Sequence, residues 1–342
     1  MTDVPLPAHA DVASPLRPGS DLARGARIFA LVFASLLGAL LASAALFADL
    51  SVLWPDGWPV RLARFCFFLI LLTAYTLAAL VIARRGARRD FGALRGVTDT
   101  TPEQWNAWEG RFRSRRSEWL ATAVGLAVGL AIDRIGSAAG PMNERPWVGL
   151  VIWAALLNAL LFANLAALAR RSVLEIRALR AIGRRVRVSL IDKSPLAPFV
   201  RTGLRGAALW LFGTSLATTL LIDVNAPWLV LSVLVFTVGL AVAALLLPSR
   251  GLNERLRAAK EQELAWVRGE IARARAALAA GDAAETSRLP ALLAWEERIE
   301  RVSTWPFDTP TLLRFALFLL VPLGSWLGGA LVERVVDAWM PG

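Results

Sequence analysis

Seven stretches of the chain are apolar enough to cross a lipid bilayer, and this pattern limits the fold more than any other feature. A hydrocarbon core about 30 Å thick needs roughly 20 mostly apolar helical residues, because an unpaired backbone amide in lipid costs several kcal/mol. The predicted spans cover residues 28–48, 65–83, 118–136, 147–168, 204–222, 227–247 and 312–332. We therefore expect an all-α polytopic membrane bundle of about seven transmembrane helices, arranged as three hairpins plus one further helix.

The distribution of basic residues gives this bundle an orientation. Of the 38 Lys and Arg residues, 33 fall in segments that the predicted spans place on one side of the membrane. Under the positive-inside rule that side is cytoplasmic, so the N-terminus is inside and the C-terminus is periplasmic. Arg supplies nearly all of the basic charge, and Ala and Leu dominate the spans. This composition indicates a GC-rich bacterial source, and hence a bacterial inner membrane.

The predicted spans also divide the chain into regions. Residues 1–27 are expected to form a disordered cytoplasmic leader, and residues 28–250 a six-helix transmembrane region. Arg-rich cytoplasmic loops at 84–117 and 170–203 would join its hairpins and contact anionic lipid headgroups. Residues 309–342 then supply the seventh transmembrane helix and a short external C-terminus.

Residues 251–308 form the most interpretable polar segment. Leu256, Val267 and Ile271 recur at helical spacing beside Arg, Glu and Lys, and a second stripe contains Leu292 and Ile299. Two amphipathic helices of this kind predict a cytoplasmic antiparallel hairpin, or short coiled coil, that buries both stripes. It is either a rigid spacer or a docking surface, over residues 252–302, for a cytoplasmic protein partner.

The composition argues against most catalytic chemistry. The chain has one cysteine, Cys66, and one histidine, His9, so it predicts neither an internal disulfide nor a Cys/His metal site. Phosphate-binding, dinucleotide-binding and serine-hydrolase glycine motifs are missing from the sequence. We therefore expect no catalytic residue, cofactor or metal, and we assign the basic charge to topology rather than to nucleic-acid binding.

Four acidic residues are predicted to lie at the outer ends of the spans. Asp49, Asp133 and Asp223 end the three outward-running helices, and Glu333 follows the seventh span. A carboxylate at a helix C-terminus is disfavoured by about 0.3 to 1 kcal/mol, so the recurrence is notable. These acids either mark where hydrocarbon gives way to water, or face one another around an outward-opening vestibule for cations or protons.

Two further features concern helix packing and bending. Glycines spaced four residues apart let a neighbouring helix approach closely. They are Gly125 and Gly129 in the third span, and Gly324 and Gly328 in the seventh. Pro322 is expected to kink the seventh span and is a candidate hinge.

These observations favour a non-enzymatic integral membrane protein, a scaffold or sensor coupled to its cytoplasmic hairpin. The alternative is a channel or ion-coupled transporter that uses the acidic residues at the outer helix ends. A lipid-modifying enzyme is disfavoured, because the outer face offers carboxylates without a nucleophile paired to a base.

Overall fold

The computed structural model describes residues 18–47, 58–113, 115–138, 148–192, 194–218, 227–279, 288–320 and 324. Over these residues the chain is helical, and its β-structure is an isolated bridge between Thr98 and Val186. The helices are α1 (Pro18–Phe47), α2 (Trp58–Leu94), α3 (Pro102–Arg113), α4 (Arg115–Ala138), α5 (Val148–Gly183), α6 (Ala197–Thr218), α7 (Pro227–Leu246), α8 (Arg250–Ala279), α9 (Leu289–Glu300) and α10 (Thr309–Leu320).

Local sequence determines where several helices begin. Proline is the first residue of α1, α3 and α7, a position where its missing N–H has no intrahelical acceptor to lose. Asp308 caps α10, since the backbone N–H of Thr311 donates to its Oδ1 at 3.0 Å. These signals are local, since each involves residues within one turn of the helix start.

Four helical stretches of the described chain are long and apolar enough to cross a membrane. They are Asp21–Ser43, Phe65–Leu94, Val151–Gly183 and Leu231–Ala279. The prediction of an all-helical chain with membrane-length apolar helices is therefore confirmed. The count of seven is not confirmed, since α4, α6 and α10 do not join this set. The charged first turn of α4 shortens its apolar part, Arg201 and Arg205 do the same in the first half of α6, and α10 is itself short.

Two helices extend far beyond the thickness of a bilayer. Helix α2 has 37 residues and α5 has 36, which at about 1.5 Å per residue gives each a length of about 55 Å. The segments 84–117 and 170–203, which we expected to be loops, are therefore largely helical. Helix α1 likewise begins at Pro18, inside the leader that we expected to be disordered up to residue 27.

Helix α2 lies at the centre of the bundle and contacts α1, α5 and α6, while α4 packs on α5 and α7 packs on α6. Helices α2 and α5 run side by side in the same direction. Leu69 and Leu157 share one hydrophobic cluster, and Ala83 and Leu168 share the next. Together these clusters form the bundle core. Residues that lie side by side on α2 and α5 are therefore a nearly constant number of positions apart in the sequence.

A second hydrophobic core lies beyond the far ends of α2 and α5, and we call it the basal core. Trp105 of α3 is buried there, with 4% of its surface exposed. The other buried members are Leu94, Leu179, Ile182, Val186, Leu196, Phe199, Leu252 and Leu256. Because these residues come from α2, α5, α6, α8 and the connections between helices, the basal core joins α8 to the membrane-length helices.

Helices α8 and α9 pack against each other in opposite directions. Lys260 donates to the carbonyl of Glu300 at 2.6 Å and to that of Val302 at 2.9 Å. Further along α8, Arg268 donates to Glu296 at 2.7 Å, so the partner residue moves back along α9 as α8 advances. This α8–α9 hairpin buries the apolar stripe of α8 against α9.

Candidate functional site

A layer of charged side chains separates the bundle core from the basal core. Its members come from α1, α2, α4, α5 and α6, and they are joined by ion pairs and by one hydrogen bond to a backbone carbonyl. We call this set the ionic layer. It consists of Asp21, Arg84, Arg89, Asp90, Glu118, Arg171, Glu175, Arg201 and Arg205. With five guanidinium groups and four carboxylates, the layer is close to electrical balance.

Asp90 is the centre of the ionic layer and is fully buried. Arg205 donates from Nη1 to Asp90 Oδ2 at 2.6 Å, and the hydroxyl of Thr202 donates to the same oxygen at 3.1 Å. The other oxygen, Oδ1, lies 3.3 Å from Nε of Arg201 and 3.6 Å from Nε of Arg89. Neither approach has hydrogen-bond geometry. Three guanidinium groups therefore surround one carboxylate whose Oδ1 accepts no hydrogen bond.

Glu175 is the second buried carboxylate of the layer. Arg171, one turn earlier on α5, donates to Glu175 Oε1 at 3.0 Å, while Arg205 Nη2 lies 3.8 Å from Oε2. Arg171 also donates to the backbone carbonyl of Arg84 at 3.4 Å, and Arg84 pairs with Glu118 of α4. Arg205 is thus shared between the acids of two helices, and the series of contacts links α6 to α4 through α2 and α5.

The path of Arg205 across α2 depends on Gly86. A Cβ at this position would lie 2.7 Å from Nε of Arg205, so any side chain would displace the guanidinium group. Six residues later on the same helix, a Cβ at Gly92 would meet no atom within 4 Å. Gly86 therefore creates the space through which Arg205 reaches Asp90.

Burial makes the pairing in this layer necessary. A charged group taken out of water costs several kcal/mol unless a partner compensates it, and removing one member of a buried pair costs about 3–5 kcal/mol. Asp90 is fully buried and Glu175 is 7% exposed, so each depends on its guanidinium partners. The layer can therefore hold its helices in one arrangement.

The α8–α9 hairpin is attached to the bundle at a pair of glycines. Gly183 ends α5 and Gly251 is the second residue of α8, and a Cβ on Gly183 would lie 2.7 Å from the backbone nitrogen of Leu252. Beside this contact, Arg184 donates to Glu254 at 2.9 Å. The two helices therefore meet backbone to backbone at this point.

The acidic residues predicted for an outer vestibule are only partly described. Asp133 lies near the end of α4, is half-buried, and is followed by the exposed Arg134. Asp49, Asp223 and Glu333 lie outside the described residues. The structure therefore neither groups nor separates these four acids, and their convergence stays a prediction.

The glycines of the third span lie where α4 meets α5. A Cβ on Gly129 would lie 2.7 Å from Cα of Ala159, and one on Gly125 would lie 2.7 Å from Cβ of Ala166. Both glycines are buried, whereas the large apolar side chains on the rest of α4 are exposed. The two glycines therefore set the distance between α4 and α5.

The packing and hinge residues of the seventh span are mostly not described. Gly324 is exposed, and a Cβ there would meet no atom within 4 Å. Gly328 and the hinge candidate Pro322 lie outside the described residues. Close packing and bending in this span stay predictions.

Sequence reasoning missed Asp90 and Glu175, because it placed both in the Arg-rich cytoplasmic segments between the spans and did not expect a buried site there. A signal for them exists. The sequence Asp90-Phe-Gly-Ala-Leu-Arg95 is matched by Glu175-Ile-Arg-Ala-Leu-Arg180, and an Ala-Arg-Arg triplet precedes each acid by a few residues. The spacing between the two copies, 85 residues, is close to the register in which α2 and α5 lie side by side, since Arg171 donates to the carbonyl of Arg84, which is 87 residues earlier. The repeat therefore places the two acids at one level of the bundle.

Two kinds of reactive group can be located among the described residues: metal-ligating clusters and the cysteine. Among them no three His, Cys, Asp or Glu residues come together as metal ligands. Cys66 is buried in the bundle core rather than placed beside a base. Known proteins add no further guidance, because no protein-family model, curated protein or solved structure matches this chain.

Proposed function

We propose that this chain is a non-enzymatic integral membrane protein, a scaffold or sensor, in which the helical bundle is coupled to the α8–α9 hairpin. The observation that supports it is the backbone contact between α5 and α8 at Gly183 and Gly251. Helix α5 also contains Arg171 and Glu175, so the hairpin is connected through one continuous helix to the ionic layer.

The hairpin is proposed as the docking surface for a cytoplasmic protein partner. The apolar stripes of α8 and α9 are already buried within the hairpin and cannot bind a partner, since Val267, Ile271 and Ile299 are buried. Two large apolar side chains remain outside this contact: Trp266 is 53% exposed and Leu293 is 49% exposed. Exposed aromatic and aliphatic side chains surrounded by charged residues are typical of protein–protein contact sites.

The distribution of basic residues supports the orientation that we propose for the helices in the membrane. The basal core and the basic ends of α2 and α5 would lie on the cytoplasmic side of a bacterial inner membrane, where anionic lipid headgroups neutralise the exposed arginines. Helices α4, α6 and α10 would complete seven spans. Support for α4 comes from Trp119, Val124 and Val128, which are all exposed on a helix whose small residues face α5.

The proposal is tested by shortening the hairpin. Residues 264–296 are replaced by a short Gly-Ser turn, which keeps the hairpin base where Lys260 bonds to the end of α9. In the full chain, a photo-crosslinking residue at position 266 or 293 should give one discrete adduct with the same protein. The shortened chain should insert at an unchanged level and should no longer co-purify that protein.

The matched control places the photo-crosslinking residue at Arg257 on α8 and at Arg301 directly after α9, which are exposed but polar positions. These positions should give little adduct. Equal adducts at all four positions, or co-purification that survives removal of residues 264–296, would contradict the docking role. The bundle itself would be unaffected by that result.

A further inference from the structure

The α8–α9 hairpin has two faces, one on each side of the plane that contains the two helix axes. Successive residues of an α-helix are turned by about 100° about its axis, so the neighbours of the buried Val267 project to opposite sides of that plane. Trp266 marks one side and Arg268 the other. Arg268 contacts Glu296 and Glu300 of α9, each at 2.7 Å, so these two acids lie on the Arg268 face. We call the opposite side the Trp266 face.

Charges on the Arg268 face are largely compensated within the hairpin. Arg257 pairs with Glu261 at 3.1 Å, one turn further along α8. Arg268 lies between two carboxylates of α9. Leu293 belongs to this face as well, since it precedes Glu296 by less than one turn of α9. The exposed side chain of Leu293 therefore lies among ion pairs that are already formed.

The Trp266 face combines an exposed indole with arginines and small residues. On α9, Arg298 is turned by about 200° from both Glu296 and Glu300, and it therefore lies on the side of Trp266. The exposed members of this face are Gln262, Trp266 and Arg273 of α8, and Ala291, Ala294 and Arg298 of α9. The indole of Trp266 is 53% exposed, and the alanines across from it on α9 are too small to cover it.

Positive charge is in excess on the Trp266 face. Arg298 forms no ion pair with any residue that the structure describes. Arg273 pairs with Glu270, which lies at the edge of the face. The next acid on this side, Glu263, is turned between the two helices, where Trp295 donates to it at 3.1 Å. Two guanidinium groups therefore flank the exposed indole, and one carboxylate of the hairpin is available to them.

The position of the Trp266 face favours a soluble partner over the lipid surface. Helix α8 begins at Arg250, so Trp266 lies about 24 Å along the axis at about 1.5 Å per residue. Leu252 and Leu256 belong to the basal core, so α8 has left that core before it reaches Trp266. Helices α7 and α8 also lie in one helical stretch, Leu231–Ala279, which carries α8 away from the membrane-length part of the bundle.

We infer that the Trp266 face binds an acidic segment of the cytoplasmic partner. The indole supplies the apolar contact, and the guanidinium groups of Arg273 and Arg298 pair with the partner's carboxylates. Charge complementarity of this kind selects the partner and speeds its association. The inference rests on the proposed docking role of the hairpin, and it adds which face is used and which charge the partner has.

The test places the photo-crosslinking residue benzoylphenylalanine at Ala294, which keeps Trp266 and both arginines of the face. Irradiation of cells that contain the full chain should give a discrete adduct with one protein. Mass spectrometry of the crosslinked peptide should identify a segment with net negative charge. Arg273→Glu combined with Arg298→Glu should reduce the adduct by about tenfold, because like charges would then face each other across the contact.

Arg257→Glu combined with Arg275→Glu is the matched control on the Arg268 face. Each double variant changes one arginine that is ion-paired within α8 and one exposed arginine without an ion pair to a described residue. The control should keep the adduct, and both double variants should insert at the same level as the unsubstituted chain.

Three results would overturn the acidic-partner inference while leaving the docking role intact. They are a crosslinked segment that is neutral or basic, an adduct that survives Arg273→Glu with Arg298→Glu, and a protein adduct that forms from position 293 alone. An adduct with lipid at position 294 would overturn it as well, because the face would then lie on the membrane. Without a protein adduct at position 294 or 293, the proposed docking role fails together with the inference.

Discussion

The buried ion pair between Asp90 and Arg205 depends on the residues that hold the two groups in place. The carboxylate has no solvent contact, and the guanidinium group beside it is 12% exposed. Such a pair is weakly stabilising as a whole, because desolvation offsets most of its attraction, yet losing either partner is costly. The residues that matter are therefore those that keep both groups in place, and Gly86 is one of them.

At Gly86 we expect alanine to destabilise the protein by about 1–3 kcal/mol, because the new methyl group would overlap the Arg205 guanidinium. Gly92→Ala is the matched control on the same helix, where a Cβ meets no atom within 4 Å. It should be neutral or slightly stabilising, since alanine favours the helical backbone. Thermal unfolding followed by circular dichroism in detergent would measure both. Equal melting temperatures for the two variants would mean that Arg205 does not need the space.

At the scale of single helices, the contact surface decides what each helix does. Helix α4 packs on α5 through glycines and exposes large apolar side chains elsewhere. Helix α10 begins at a capping carboxylate, and Phe315 and Phe318 pack against the α6–α7 pair. The critical substitution is therefore at a glycine in α4 and at the capping carboxylate in α10.

Gly129→Ala should separate α4 from α5, because the added carbon would lie 2.7 Å from both Cα of Ala159 and the carbonyl oxygen of Asn158. These are backbone atoms, which cannot rotate away as a side chain can. We expect a loss of about 1–3 kcal/mol, compared with little change for Gly38→Ala on α1, where a Cβ meets no atom within 4 Å. Unfolding by increasing sodium dodecyl sulfate would rank the two. A Gly38 variant that is the less stable of the pair would contradict this view of α4.

The cap of α10 should depend on pH. Hydrogen bonds from the hydroxyl and backbone N–H of Thr311 lower the pKa of Asp308 below its ordinary value of 3.8. Because the folded state holds the ionised form, the stabilisation is present above that value and is lost as the pH falls through the lowered pKa. Amide exchange in the first turn of α10 should then accelerate beyond the normal pH effect.

Asp308→Asn provides the control for the cap, since asparagine is an equally good N-cap and does not ionise in this range. The variant should protect the first turn of α10 at neutral pH and lose the acid dependence. Asp308→Ala should be unprotected at every pH. If all three chains exchange alike, the cap does not limit fraying of α10.

At the scale of the whole molecule, the arginine-rich ends of α2 and α5 and the basal core lie at the same end of the helical bundle. Trp105, Leu179 and Leu256 come from three distant parts of the chain and are buried together beyond the ionic layer. The connections after α2 and α5 are joined there as well, because Arg187 donates to Asp99 at 2.5 Å across the Thr98–Val186 bridge. This end is consequently a folded unit rather than a set of separate loops.

Cysteine labelling would test the proposed orientation. In a Cys66→Ser background, Gly110→Cys on α3 and Gln262→Cys on α8 are exposed at the basal end, and Arg134→Cys is exposed at the opposite end of α4. A membrane-impermeant maleimide should label only position 134 in spheroplasts, and all three positions after permeabilisation. Labelling of position 110 before permeabilisation would reverse the orientation.

The sequence by itself determined that the chain is helical, that several helices are long and apolar enough for a membrane, and that Gly125 and Gly129 are small enough for close packing. These properties depend on neighbouring residues and on periodicity along one helix, so they can be derived from the order of residues. The extent of α2 and α5 could not, because Leu94 and Leu179 near their ends pack in a core whose other members come from distant parts of the chain.

Tertiary structure alone decided the pairing inside the ionic layer. Asp90 meets Arg205 across 115 residues of chain, and the contact requires three helices, the space at Gly86 and a common level for α2 and α5. A local sequence pattern contains none of these distances. Coulomb energy in a buried site depends on a few ångströms of separation, so only the packed helices could select which charges become partners.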